Sequence, residues 1–367
     1  MRSRALIISF VLLCFLKTDS FAQIDLGGYY RNELIYIIQR DGTCILGDVN
    51  KLRFQLDSKI IPAILLHLEP EYAVLIKTEE LPLLDNTELN KVIWDRTYAK
   101  ISLPFVDLTA GRQRVAWGTG HVFNPTDVFN PFALSFAVAE EERKGVDAVR
   151  LEIPFGAASG IDAVFLTDKG WDETKKGIKA KTNIGSYDLS LSYVDFGDTM
   201  GDQIGFDAAG EFFALGLRAE VAAISTGEAE RFIKGVFGLG YTLEDGWGID
   251  CEYYFNGFGR KEKENYDWPG LFSGDISQLA MNYVYLGLNK ILDEITEIRF
   301  SFLVNADDSS FIFYPSYTRN VLENLDFSLE ALFEAGPLDS EFHPTSLEDP
   351  TGFLGSNIVF VKLRYSF

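Results

Sequence analysis

Asn357 to Phe367 reads NIVFVKLRYSF. Val359, Val361, Leu363, Tyr365 and Phe367 share one face of an extended strand. Lys362, Arg364 and Ser366 share the other, because strand side chains alternate with period two. Chain ends ordinarily fray, so ending on the most regular strand of the sequence needs a reason. A closed barrel supplies one, since its last strand must pair with its first.

The same alternation recurs along the chain in segments of about ten residues, the length of a tilted membrane strand. Leu52, Phe54 and Leu56 alternate with Arg53, Gln55 and Asp57; Leu325, Phe327 and Leu329 alternate with Asp326, Ser328 and Glu330. Hydrophobic residues make up 47% of the chain and aromatics 14%, yet they are dispersed by alternation rather than gathered into helical stripes. A soluble β-sandwich alternates too, but its strands average about five or six residues. Tight turns also take turns with longer polar connections, as in a barrel with short turns at one end and loops at the other. The expected fold is all-β: a transmembrane antiparallel up-and-down barrel of about 18 strands. The count drops to about 16 if 63–77, which holds Pro70, and the weakly alternating 202–210 are not strands.

Export is expected from the N-terminal segment. Arg2 and Arg4 precede an apolar run, Ala5 to Leu16, and Ser20-Phe21-Ala22 forms a small-x-small cleavage site. Residues 1–22 read as a signal peptide and 23–367 as one barrel domain. The apolar run is too short for the roughly 20 residues of a spanning helix. Losing Arg2, Arg4, Lys17 and Asp19 makes the mature chain two charges more negative than the stated −21, which argues against nucleic acid as a partner. Cys44 and Cys251 remain, too few for a disulfide scaffold.

The most distinctive stretch is Gly111 to Gly145, GRQRVAWGTGHVFNPTDVFNPFALSFAVAEEERKG. Asn124-Pro125-Thr126-Asp127 and Asn130-Pro131 are turn formers, and the interior is too apolar for a solvated surface loop. The loop 116–145 either folds into the barrel as a constriction or caps its mouth. Arg112, Arg114, Trp117, His121, Asn124, Asp127 and Asn130 are its candidate functional residues. Strict alternation from Val106, Leu108 and Ala110 would put Arg112 and Arg114 on the apolar face, so a bulge near Gly111 is expected to turn them inward. Asp95-Arg96-Thr97-Tyr98-Ala99, Gly111-Arg112-Gln113, Trp117-Gly118 and Asn124-Pro125-x-Asp127 resemble a signature of porin-like outer-membrane proteins of poorly assigned function. The match covers Asp95 to Asp127. The closing strand with its terminal Phe likewise resembles that of outer-membrane β-barrels. These resemblances imply outer-membrane lipid as surroundings and the barrel assembly machinery as a partner of the terminal strand.

With polar faces turned inward, Arg31, Arg53, Arg96, Arg150, Lys362 and Arg364 form a basic wall on the first strands and the closing strand. Asp188, Asp250, Glu252, Asp326 and Glu330 lie further round, with Glu152, Arg218 and Glu220 as members of local ion pairs. Opposed walls would set a transverse field on charged solutes. The three histidines, His67, His121 and His343, have no metal-ligand spacing, and no nucleophile-elbow or phosphate-loop motif occurs. No catalytic residue, metal or cofactor is called for. The expected function is a passive channel for small hydrophilic, charged solutes. A plugged barrel acting in export, assembly or surface anchoring is the alternative, and an outer-membrane hydrolase a more distant one.

Overall fold

A computed structural model of the chain describes residues 23–39, 42–77, 90–129, 144–197, 201–226, 230–344 and 356–367. The signal-peptide reading of 1–22 therefore lies outside the described residues. The first six strands are β1 (Gln23–Ile38), β2 (Cys44–Ile61), β3 (Ile64–Lys77), β4 (Val92–Leu103), β5 (Val106–Gln113) and β6 (Val146–Pro154). Next come β7 (Gly160–Leu166), β8 (Lys176–Ile184), β9 (Tyr187–Asp195), β10 (Asp202–Phe212), β11 (Leu215–Ser225) and β12 (Arg231–Thr242). The last six are β13 (Trp247–Asn256), β14 (Asn282–Asp293), β15 (Thr296–Asn305), β16 (Phe311–Leu322), β17 (Leu325–Ala335) and β18 (Asn357–Ser366).

Each strand pairs antiparallel with its sequence neighbours in one 18-stranded sheet, and β18 pairs with β1 to close it. The closing register runs from Tyr29 opposite Ser366 to Ile38 opposite Asn357. Phe367 extends it, exchanging two 3.0 Å backbone bonds with Gly28. The count is 18, and both doubtful segments are strands. Proline has no N–H to give the ladder; β3 accommodates Pro70 by a register shift against β4 between Glu69 and Pro70. The shift leaves Asp95 as the extra residue beside Arg96, so that both charged side chains turn inward.

The two faces follow the alternation. On β1, Leu34, Tyr36 and Ile38 are exposed outside, while Arg31, Glu33 and Ile35 are buried inside. One polar cluster interrupts the outer face. There Asn32 donates to Asp48 (2.6 Å) and Asn50 (3.1 Å), and Tyr30 donates to Asn50 (2.6 Å).

Short turns at one end connect the pairs β2–β3, β4–β5, β6–β7, β8–β9, β10–β11, β12–β13, β14–β15 and β16–β17. The other end carries the longer connections 78–91, 114–145, 167–175, 257–281 and 336–356, but also the short ones 39–43, 196–201, 226–230 and 306–310. The short–long rhythm thus holds only in part. Among the described residues no helix is long and apolar enough to cross a membrane. The short helix α1 (Trp268–Ser273) sits in 257–281, with Asp267 accepting the Gly270 N–H as its cap.

Inside, the long-loop end is packed with apolar side chains. Ile37, Leu332, Ile358 and Phe360 meet Leu279 and Ala280 of one loop and Phe342 of another. Below them lies a polar chamber of about 430 Å³, walled by Arg31, Arg299, Asp326, Glu330, Lys362 and Arg364 among others. Because β18 alone joins β17 to β1, deleting 357–367 should abolish the compact, heat-modifiable form of the refolded protein on a gel. A truncated chain that still shows the shift would contradict the closure.

Candidate functional site

The candidate site is built around two carboxylates on the inner wall. Glu220 on β11 and Glu252 on β13 are both 0% exposed. A buried ionised group must be fully hydrogen-bonded to be tolerated, and here the donors come from the segment 114–129, which turns into the barrel after β5. Glu220 accepts from the N–H groups of Thr119 (2.5 Å), Gly120 (2.6 Å) and Thr126 (3.1 Å) and from the Thr126 hydroxyl (2.8 Å). Glu252 accepts from the N–H groups of His121, Val122 (2.8 Å) and Phe123 (3.4 Å). Consecutive amides converging on one carboxylate form an anion cradle. Gly118 makes it possible: its φ is +92°, and a Cβ there would lie 2.7 Å from Glu220 Oε1.

Side chains complete the docking. Phe123 stacks on Tyr254 (4.3 Å), and Trp117 meets Phe129 edge-on (4.9 Å). The Trp117 indole donates to Asp162 (3.0 Å), which Arg150 holds at 2.7 Å. The wall is thinned where the loop touches it. A Cβ at Gly177 would lie 3.0 Å from Trp117, and one at Gly205 3.0 Å from Thr126. The NPTD turn closes through Asp127 N–H to Asn124 O (3.1 Å), and its carbonyl at Pro125 accepts from Gln203 (3.2 Å). Lys175 donates to Val128 O (2.7 Å), with burial lowering its ammonium below the ordinary lysine range.

Trp117, His121, Asn124 and Asp127 therefore lie on the docked segment, while Asn130 falls outside the described residues. Arg112 and Arg114 do not belong with them. No register shift interrupts β4–β5 or β5–β6, so alternation carries Arg112 to the outer face, opposite and ion-paired to Asp147 (2.9 Å). Arg114 is exposed on the same side. The expected bulge at Gly111 is absent because each arginine stands near the rim, where an outward charge costs little.

The chain matches no family model and no curated protein. Solved structures do match. One, from work on the asymmetric conductivity of engineered proteins, is 13% identical, covers 94% of this chain and 100% of its own, and has a TM-score of 0.50. A triple mutant of the porin of Rhodopseudomonas blastica is 14% identical over the same shares, with a TM-score of 0.49. At such identity the likeness concerns the barrel fold alone.

The inward charges are interleaved rather than sorted into walls. Arg53 meets Glu71 (2.5 Å), Asp95 (3.2 Å) and Glu69 (3.7 Å), while Arg96 lies 3.6 Å from Glu69 and Arg31 3.3 Å from Glu33. Lys362 meets Glu330 (2.7 Å) and Glu33 (3.7 Å). The basic wall expected from the sequence thus carries its own carboxylates. Arg364 and Arg53 flank the Tyr29 ring at 4.2 and 5.7 Å. Further round, Arg150 also meets Glu152 (3.1 Å), Arg218 meets Asp250 (2.7 Å), and Asp326 stands opposite Arg364. Asp188 accepts from Asn183 (2.9 Å). Glu69 and Glu71 went unnoticed in the sequence although they alternate with Leu68, Pro70 and Tyr72, because the proline disguised the strand.

A second buried carboxylate knot ties the loops together. Glu341 accepts from the Tyr283 hydroxyl (2.7 Å), Asn305 (2.7 Å) and the Leu279 N–H (3.1 Å), and its own N–H donates to Asp308 (2.8 Å). Asp307 accepts from the N–H groups of Met281 (2.9 Å) and Asn282 (2.8 Å). Asp307 and Asp308, adjacent on the loop after β15, thus both serve as acceptors for backbone N–H groups.

Two outcomes are expected. Replacing Glu220 and Glu252 together by alanine leaves buried amides unpaired, at about 1–3 kcal/mol each. Hydrogen exchange at Thr119 to Phe123 should then accelerate while the strand amides stay protected. Burial pushes the Glu341 carboxyl up to about 7, with Asp308 adding to it. A folded state that holds this proton more tightly than the unfolded chain gains stability as pH falls. The contribution is complete below about pH 4.5 and is lost as pH rises to about 7. Exchange protection of 266–281 should therefore be greater at about pH 5 than at about pH 8, and Glu341→Gln should flatten the difference.

Proposed function

We propose that the protein is a porin-like channel of an outer membrane that passes small hydrophilic solutes by passive diffusion. The observation that carries this reading is the segment 114–129, held inside the lumen by Glu220 and Glu252. A loop fastened to the inner wall narrows a barrel that would otherwise be wide. The apolar outer face of the strands favours lipid as its surroundings. Solutes reaching the polar chamber meet alternating cations and carboxylates over a few ångströms. Such a lining favours solutes that carry local charge of either sign, and it weakens any single transverse field.

The packed apolar interior at the long-loop end favours a second reading, a plugged barrel. Ile37, Tyr283 and Phe360 are each 0% exposed there. Planar-bilayer recording separates the two. A channel gives discrete conductance steps, and Glu220→Ala with Glu252→Ala should enlarge them by releasing the loop. Folded protein that stays silent with and without those substitutions would favour the plug. Within the channel reading, the charge swap Arg53→Glu should move the reversal potential only modestly toward cation selectivity, because Glu69, Glu71 and Asp95 already surround it. A large shift would restore the sorted walls.

A further inference from the structure

The short-turn end of the barrel is not uniform around its circumference. From β2 to β11, five successive turns present large apolar side chains: Ile61, Phe105, Phe155, Ile184 and Phe213. Phe105 is 81% exposed and Phe213 89%. The connecting residues of these turns, 62–63, 104–105, 155–159, 185–186 and 213–214, carry no charged side chain, and the nearest acids, Asp107, Asp188 and Glu211, lie within the strand ends. From β12 to β17 the turns also carry apolar residues, but each is joined to exposed acids: Glu244 and Asp245, Asp293 and Glu294, then Glu323.

The shortest strands lie in the middle of the apolar arc, although β2 and β3 at its edge are the longest of that arc, with 18 and 14 residues. β5 to β9 are seven to nine residues long, whereas β12, β14 and β16 have twelve each. At about 3.3 Å per residue and a tilt of about 45°, nine residues rise only about 21 Å, short of an apolar band of about 25 Å. The strands of β5 to β9 meet that thickness only if their turns lie within it.

We infer that the arc of turns from β2 to β11 is immersed in the lipid leaflet at the short-turn end, while the acidic arc from β12 to β17 stands in water. The inference rests on the membrane-spanning reading above. Lipid is the occupant because the exposed tips continue the outer apolar columns without a break: Leu103 faces Val106, Ile184 faces Tyr187 and Phe212 faces Leu215 across their turns. The arc also runs round half the barrel, a contour that a bilayer follows. Phenylalanines at the edge of the band would anchor it, and the two arcs together hold the barrel at a defined depth and tilt.

Nitroxide labels test this in the full mature chain, refolded in phospholipid vesicles with Cys44→Ser and Cys251→Ser. One label goes at Ala214→Cys, leaving Phe213 in place, and one at Asp245→Cys. Leu191→Cys on the outer wall and Lys169→Cys on a loop at the opposite end serve as references. Collision with oxygen reports lipid, and collision with a nickel chelate reports water. The Ala214 label should follow Leu191, oxygen-dominated, while the Asp245 label follows Lys169. Nickel-dominated collisions at both turns, with Leu191 still in lipid, would overturn the immersion. A partner protein would then be the candidate cover for the apolar arc. Nickel access at Leu191 itself would instead overturn the membrane reading.

Discussion

Closure of the sheet is the constraint on which everything else depends. Each strand satisfies its backbone only by pairing on both sides, and an apolar surrounding offers no water to replace a missing partner. The β1–β18 seam therefore has to be made, and it is made over ten residue pairs. Once closed, the barrel has an inside, and alternation becomes a division of labour. Every second side chain is committed to the lumen, and its charge must be answered there. The pairs that line β1 to β4 and β18 are the consequence of that commitment.

The docked loop obeys the same rule in reverse. Without the loop Glu220 would be an unanswered charge on the inner wall, and Glu252 would keep only Arg218 at 3.5 Å. The backbone amides of 119–126 would be unanswered donors if they entered the lumen without the two carboxylates. Each set makes the other tolerable. The wall also yields space, because Gly177 and Gly205 leave out side chains where Trp117, Phe129 and Thr126 press against it. Loop and wall are one packed unit, which is why Gly118, where any Cβ would strike Glu220, has so little freedom to change.

That coupling explains what could and could not be read from the residues. The closed barrel was legible because β11, β17 and β18 alternate cleanly and their pairing needs no further partner. β10 was obscured because Gly205, on its inner face, is small to receive Thr126; a strand adapted to a loop loses its pattern. β3 was obscured by Pro70, whose cost is absorbed by a bulge that only the neighbouring strand reveals. Glu220 and Glu252 were legible as inward charges, but their role was not, since a carboxylate bonded to distant backbone amides leaves no motif of its own. The arginines at 112 and 114 obeyed alternation after all, and the invoked bulge was an unneeded rescue of charges that sit near the rim.

The arrangement of charge follows from the same geometry. In a barrel, direct neighbours across strands lie about 5 Å apart on one face, so a row of like charges repels itself strongly. Lys51, Arg31 and Arg364 form such a row across β2, β1 and β18. It is tolerated because Glu71 reaches Lys51 from the next strand and Glu33 reaches Arg31 from the next inward position on its own strand. A purely basic wall would lack these neighbours and would need bound anions to stand. Interleaving makes the charged lining self-sufficient, at the expense of a long-range field. In the channel reading proposed above, selectivity would then arise at close quarters, where a solute exchanges partners with one pair at a time.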